Sequence, residues 1–80
     1  MRKDPVLVEI GSRLQKLRRQ KGISQEALAN LAGLHRTYLG MVERGERNVT
    51  VVNLLRITTA IDVSPGAVLE GLTVNPKPER

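Results

Sequence analysis

Several side chains near the middle of the chain have the spacing of one helical face. At about 100° per residue, Arg36, Thr37 and Met41 share one side of a helix with Gly40 and Arg44. An arginine can donate two hydrogen bonds to guanine, and a threonine or methionine can contact the methyl group of thymine. This face therefore predicts base recognition in the major groove of double-stranded DNA, with Gly40 allowing a close approach of the helix backbone. The alternatives are a solvated surface charge for Arg36 and a gap-filling core role for Met41.

Two short helices must position this face. Ser24 is a suitable N-cap for a helix from Gln25 to about Ala32, and Gly33 gives its stop signal. A second helix is predicted from about His35 to Arg44, because Gly45 supplies the next stop. His35 stands where Ser, Thr or Asp is favoured, so we expect this helix start to be weaker by about 1 kcal/mol.

The two predicted helices carry the pattern of a helix-turn-helix. Ala29 is small enough for the second helix to cross near the first, and Gly33 permits the backbone angle of the turn. Leu39 and Val42 anchor the second helix from its inner side, with Tyr38 on the inner flank. We expect the Tyr38 ring to pack while its hydroxyl group emerges at the edge.

The remaining elements are also predicted to be helical. Apolar residues at intervals of three and four predict a first helix from about Pro5 to Gln20: Leu7, Ile10, Leu14 and Leu17. Thr50 is a plausible N-cap for a fourth helix, which buries Leu54, Ile57 and Ile61. The β-branched run from Val49 to Val52 favours a strand, but an isolated strand would have no partner, so we predict a helix.

A last helix is predicted to follow the start signal of Ser64 and Pro65. The apolar residues in and before it exceed what a small five-helix monomer needs to bury, and they predict a two-fold homodimer: Val63, Val68, Leu69 and Leu72. The alternative is an ordinary core helix. From Thr73 onward two prolines and three charges predict a mobile tail, which gives a domain at 1–72 and a tail at 73–80.

Composition narrows the possible classes of function. A chain of 80 residues holds one domain, and 13 Lys and Arg against 8 Asp and Glu give a net charge of +5, which suits a polyanion partner or simply a soluble surface. With no Cys and one His, we expect no metal site, no cofactor, no small-molecule ligand and no enzymatic activity. We find no stretch apolar enough for a membrane span or a secretory signal, so we expect a cytoplasmic protein without membrane contact.

The run GLHRTYLGMVERGERNVT, residues 33–50, completes the pattern. Together with the paired helices it resembles the lambda-repressor-like (Cro/cI-type, XRE) helix-turn-helix regulators, and more narrowly the controller proteins of restriction-modification systems. The resemblance covers about Arg13 to Leu72. It implies an all-α fold of five helices that binds palindromic operators as a symmetric homodimer and regulates transcription.

The resemblance also implies roles for individual residues. Arg36 and Thr37 would read bases, and Tyr38 would lie near the DNA as well. The implied backbone contacts are Gln25, Arg44, Arg47 and Asn48. Arg18 would pair with Glu43 as a structural ion pair. An alternative function is a protein-interaction module of the same fold, such as an antitoxin or adaptor, whose groove face does not read sequence.

Overall fold

The computed structural model describes residues 3–74 of the chain, and five helices account for its regular structure. Their bounds are α1 Pro5–Gln20, α2 Gln25–Ala32, α3 Arg36–Glu43, α4 Val51–Ala60 and α5 Gly66–Leu69. No strand occurs within these described residues, which confirms the predicted all-α fold. No helix among them is long and apolar enough to cross a lipid bilayer.

Local signals explain where the helices begin. The Asp4 carboxylate accepts a hydrogen bond from the Val6 amide at 2.9 Å, and Pro5 occupies the first helical position of α1. Thr50 caps α4 in the same way, since its Oγ1 accepts from the Asn53 amide at 3.1 Å. The β-branched run after Thr50 is therefore helical, as predicted, because burial of the apolar α4 face outweighs its strand propensity.

The core is almost entirely aliphatic and receives side chains from all five helices. Its buried members are Ile10, Leu14, Leu28, Ala29, Ala32, Leu39, Val42, Leu54, Ile57, Ile61 and Val68. Helix α2 packs between α3 and α4, while α1 packs against α3 and α5. This arrangement holds α2 and α3 at a fixed angle and leaves one side of each helix at the surface.

The backbones of α1 and α3 approach each other closely because glycines lie at the contact. A Cβ atom at Gly11 of α1 would overlap the carbonyl oxygens of Val42 and Glu43. Beyond the end of α3, Gly45 has a φ of 74° and lies so near α1 that a Cβ there would be 2.7 Å from the Val8 Cα. The position of α3 is therefore set by backbone contact with α1 as well as by side-chain packing.

Helix α5 ends at Leu69, before Leu72, and its side chains are more buried in the core than the sequence predicted. Val68 is fully buried, so its assignment to a dimer interface is wrong: this side chain completes the core between α1 and α5. Val63 and Leu72 are half-buried against the same core, and Leu69 alone of the four remains exposed. Arg13 of α1 caps the helix end, because its Nη1 donates to the carbonyl oxygens of Val68 and Glu70 at 3.1 and 2.7 Å.

The α5 start also departs slightly from the expected cap. The Ser64 hydroxyl accepts from the Gly66 amide at 3.1 Å, two residues further on, and Pro65 occupies the N-cap position. Of the predicted mobile tail, Thr73 and Val74 are exposed and lie outside any helix. Residues 75–80 lie outside the described part of the chain, so the domain boundary stays a prediction.

Candidate nucleic-acid interface

The pair α2 and α3 is joined by a tight turn with defined caps at both ends. The Ser24 hydroxyl accepts from the Ala27 amide at 3.0 Å and begins α2. Gly33 ends α2 in the left-handed region, with φ 70° and ψ 33°, and the Leu34 amide then donates to the Ala29 carbonyl at 2.9 Å. Since a left-handed residue ends the helix and reverses the chain, α3 starts only three residues after Gly33.

His35 does not leave the start of α3 uncapped. Its Nδ1 atom accepts a hydrogen bond from the Thr37 amide at 3.1 Å, so the imidazole takes the place of a serine or aspartate side chain. His35 therefore caps α3, and the expected effect of this residue on the stability of the helix start stays a prediction.

The side of α3 that turns away from the core is partly as predicted. Arg36 and Thr37 are exposed at its first turn, Arg44 is exposed at its end, and Met41 is half-buried between them. Gly40 is buried, so the expectation that its backbone is open to a groove is wrong. A Cβ atom there would lie 3.2 Å from the Arg44 guanidinium and 3.5 Å from the Gln25 amide oxygen, because these side chains fold across it.

A buried charge network fixes the helices behind this surface. Arg18 of α1 and Glu43 of α3 form a two-pronged pair, Nε to Oε2 at 2.7 Å and Nη2 to Oε1 at 3.0 Å. The Glu43 side chain is fully buried and that of Arg18 is 9% exposed. The Arg18 Nη1 donates to the Ile23 carbonyl at 2.9 Å, and the Gln25 amide donates to Glu43 Oε1 at 2.9 Å. One carboxylate thus joins α1, α2 and α3.

The exposed arginines of the surface each have an intramolecular partner. Arg36 Nη1 donates to Glu26 Oε2 of α2 at 2.9 Å, with both side chains 65% exposed. Arg44 contacts the Glu46 carboxylate through Nε and Nη2, each at 3.2 Å. Lys3 joins the second pair, since its Nζ donates to the Arg44 carbonyl at 3.0 Å and lies 3.7 Å from Glu46.

The charge pairs have one resolved effect on titration. The hydrogen bond from Arg44, together with the positive charges of Arg44 and Lys3, lowers the pKa of Glu46 from its ordinary value of 4.5. The carboxylate of Glu46 is therefore ionised at neutral pH.

Tyr38 links α3 to α4. Its ring packs against the core, and its hydroxyl accepts from Asn53 Nδ2 at 3.2 Å, so the predicted placement at the edge agrees with the structure. The Arg47 guanidinium lies over the ring, 5.8 Å from its centroid, at the distance of a cation–π contact. Asn48 is exposed in the loop that follows.

Reasoning from the sequence missed Glu26, Glu46 and Asn53. Glu26 lies ten residues before Arg36, and neither helical nor strand spacing relates the two positions. Only the reversal of the chain at Gly33 brings the first turns of α2 and α3 together. The acidic residue next to Gln25 was the available signal, because it places a negative charge on an otherwise basic surface.

The described residues contain no cluster of three or more His, Cys, Asp or Glu that could hold a metal ion. Several hydrogen-bond donors lie near the starts of α2 and α3 and beyond the end of α3, and all but the half-buried Gln25 are exposed: Gln25, Arg36, Thr37, Arg44, Arg47 and Asn48. Such donors suit the acceptor-rich edges of bases and the oxygens of phosphates.

This fold and this surface are those of a helix-turn-helix protein. The sequence profile of the helix-turn-helix family matches residues 14–68, so the chain belongs to this family and the resemblance is confirmed. The control protein C.SmaI of Serratia marcescens is 44% identical over 55 residues, which are 69% of this chain and 66% of that protein. Residues 14–68, which match the family profile, include all of α2, α3 and α4 and parts of α1 and α5.

Solved structures give the same result. The restriction-modification controller protein C.AhdI from Aeromonas hydrophila is 55% identical, with a TM-score of 0.76 over 78% of this chain and 94% of that one. SinR, a master regulator for biofilm formation solved in complex with DNA, is 34% identical, with a TM-score of 0.73 over 76% of this chain and 98% of that one. The chain is thus similar to regulators of gene expression over most of its described length.

Proposed function

We propose that this protein is a sequence-specific double-stranded DNA-binding transcription regulator that inserts α3 into the major groove. The observation that carries the proposal is the exposed pair Arg36 and Thr37 at the first turn of α3 in a chain of the helix-turn-helix family. Arg36 and Thr37 would contact base edges, with Met41 and the Tyr38 hydroxyl group beside them. The proposal includes that the protein acts in the cytoplasm. It acts there by binding DNA alone, without a cofactor and without catalysis.

Other side chains would hold the protein on the phosphates. Gln25 still has a free amide hydrogen after donating one to Glu43, and it stands at the amino end of α2, where the helix dipole favours anions. Arg44, Arg47 and Asn48 extend the donor surface past the end of α3. Phosphate contacts of this kind orient a protein on the duplex without reading its sequence.

The subgroup follows from the likeness to named proteins. We propose a controller of a restriction-modification system, because C.SmaI is named a control protein and C.AhdI a restriction-modification controller protein. The high identity to C.AhdI, 55%, supports this narrower role more strongly than the family match alone.

A homodimer on palindromic half-sites completes the proposal. A helix of eight residues reaches few base pairs, so two copies related by a two-fold axis would double the sequence that is read. The half-sites would then lie one helical turn apart, about 34 Å. The exposed apolar residues favour α4 with the end of α2 as the contact surface, since Leu31, Val52 and Leu55 line one shallow groove there.

Selection of bound duplexes from a random pool tests the proposal directly. The purified protein should enrich a palindromic consensus, and Arg36→Ala should relax the preference at one position of each half-site, with a loss of about 1–3 kcal/mol on the consensus. Arg47→Ala serves as the matched control, because loss of a phosphate contact should weaken all duplexes alike and reduce the salt slope by about 1. Binding that ignores sequence, combined with tight capture of a protein partner, would favour an interaction module instead.

A further inference from the structure

One acidic side chain lies among the groups proposed to meet the DNA. Glu26 is the second residue of α2, directly after Gln25, and its carboxylate holds the guanidinium of Arg36 at 2.9 Å. Both side chains are 65% exposed, so water can replace either partner and the pair is easy to break. A shallow cleft between the starts of α2 and α3 contains both residues.

A carboxylate at this place opposes binding to phosphates. The amino end of α2 is where the proposed function puts a phosphate of the duplex, and Glu26 would repel that group. A negative charge in the first turn also stabilises α2 through its dipole, and this is the simplest explanation for Glu26. The contact with Arg36 goes beyond that explanation, because a dipole effect requires no partner on α3.

The geometry of the pair leaves Arg36 free to read a base. Only Nη1 donates to Glu26, and an arginine side chain carries five N–H donors in a planar fork. The remaining donors can meet the two acceptors that guanine presents in the major groove, O6 and N7. A phosphate, by contrast, carries a full negative charge and would be repelled by the Glu26 carboxylate beside the guanidinium.

We propose that Glu26 is a specificity-determining residue, which holds the Arg36 fork toward the bases and keeps it off the phosphate backbone. This inference rests on the proposed function. Glu26 lowers affinity for every duplex, but it lowers affinity for non-cognate duplexes more, because there Arg36 has no guanine in the right place. The ratio of specific to non-specific affinity therefore rises.

The test compares Glu26→Gln with the wild-type protein on two probes, the selected consensus duplex and a duplex of scrambled sequence. Glu26→Gln should bind the scrambled duplex more tightly, with a salt slope steeper by about 0.9, because Arg36 then neutralises one more phosphate. The specificity ratio should fall about three- to fivefold, as expected for loss of one exposed ion pair. An unchanged ratio would overturn the inference.

Two further variants distinguish the effect of the contact between Glu26 and Arg36 from the effect of removing one negative charge. Glu9→Gln is the matched control, because it removes the same charge and also breaks an exposed arginine pair at 2.9 Å, with Arg13 of α1. It should change both affinities by a common factor. In an Arg36→Ala background, Glu26→Gln should leave the salt slope unaltered; an equal steepening there would show a general field effect and contradict the proposal.

Failure of the inference and failure of the proposed function give different results. If the wild-type protein prefers no duplex, the proposed function itself fails. If the wild-type protein selects a consensus and Glu26→Gln keeps the same ratio, only the role of Glu26 is wrong. Thermal unfolding of each variant confirms that the comparison is made between folded proteins.

Discussion

At the scale of single residues, the Glu43 carboxylate determines how α1, α2 and α3 fit together. It accepts three hydrogen bonds, two from Arg18 and one from Gln25, and no buried side-chain polar atom in the described chain lacks a partner. A buried charge is tolerated only when its partners replace the lost hydration. The network therefore fixes the relative position of the helices, which hydrophobic packing alone specifies less strictly.

Removal of Glu43 should strand the buried charge of Arg18. We expect Glu43→Ala to lower the free energy of unfolding by about 3–5 kcal/mol, measured by urea denaturation. The double variant Arg18→Met with Glu43→Leu is the control, and it should lose clearly less because no charge stays buried. A Glu43→Ala protein that melts no lower than the wild type would contradict a structural role for the pair.

Glu46 gives a residue-scale prediction for pH. Its folded pKa lies below the ordinary value, so the favourable contribution of the Arg44 contact is fully present above about 4.5 and is lost as pH falls through the lowered folded pKa. Carboxyl NMR titration should give a Glu46 midpoint below 4.5. Arg44→Ala should raise this midpoint more than Lys3→Ala does, because the Arg44 hydrogen bond is the largest cause. Equal midpoints in the wild type and Arg44→Ala would contradict this cause.

Periodicity could identify residues of the surface but not their neighbours. Arg36 and Thr37 were placed correctly at the exposed start of α3, because a helix of known phase fixes which side chains point away from its apolar stripe. Gly40 has the same outward phase and is nevertheless buried, since Gln25 from α2 and Arg44 cover it. The contact between Glu26 and Arg36 was missed for the same reason, because it depends on how α2 and α3 pack against each other.

At the scale of elements, the close approach of α1 and α3 depends on the missing side chain of Gly11. We expect Gly11→Ala to destabilise the protein by about 1–3 kcal/mol, although alanine favours a helix, because its methyl group would overlap the α3 carbonyl oxygens. Thermal unfolding measures the change. Ser12→Ala, at the exposed neighbouring position of α1, should stay within about 0.5 kcal/mol of the wild type. Equal stability of the two variants would refute the backbone contact.

The helices could be predicted from short sequence signals at their ends, and the structure confirms these signals. Two helix starts were predicted from the caps Ser24 and Thr50, whose hydroxyl groups accept hydrogen bonds from free backbone amides. One helix end was predicted from Gly33, which adopts the left-handed conformation. The cap by His35 was not foreseen, since imidazole is an unusual acceptor at this position. The burial of Val68 could not be read from α5 itself, because it depends on how closely α1 approaches.

At the scale of the whole molecule, the groove between α2 and α4 carries more exposed large apolar side chains than α5 does. Leu31 and Val52 are 66% and 60% exposed, and together with Leu55 they line one groove. A contiguous apolar surface of this kind costs free energy in water unless a partner covers it. A second copy placed on it would be related by a two-fold axis, as the proposed palindromic operators require.

Two matched substitutions distinguish the α4 surface from α5. Leu55 of α4 and Leu69 of α5 are similarly exposed, 44% and 42%, so a glutamate should fit either position in a monomer. We expect the wild type to sediment at micromolar concentration as a species of twice 8.8 kDa. Leu55→Glu should shift it to the 8.8 kDa monomer, because the contact would bury two like charges near the axis, while Leu69→Glu should remain dimeric. If only Leu69→Glu dissociates the dimer, the interface lies on α5. If the wild-type protein is already a monomer, the proposed dimer is wrong.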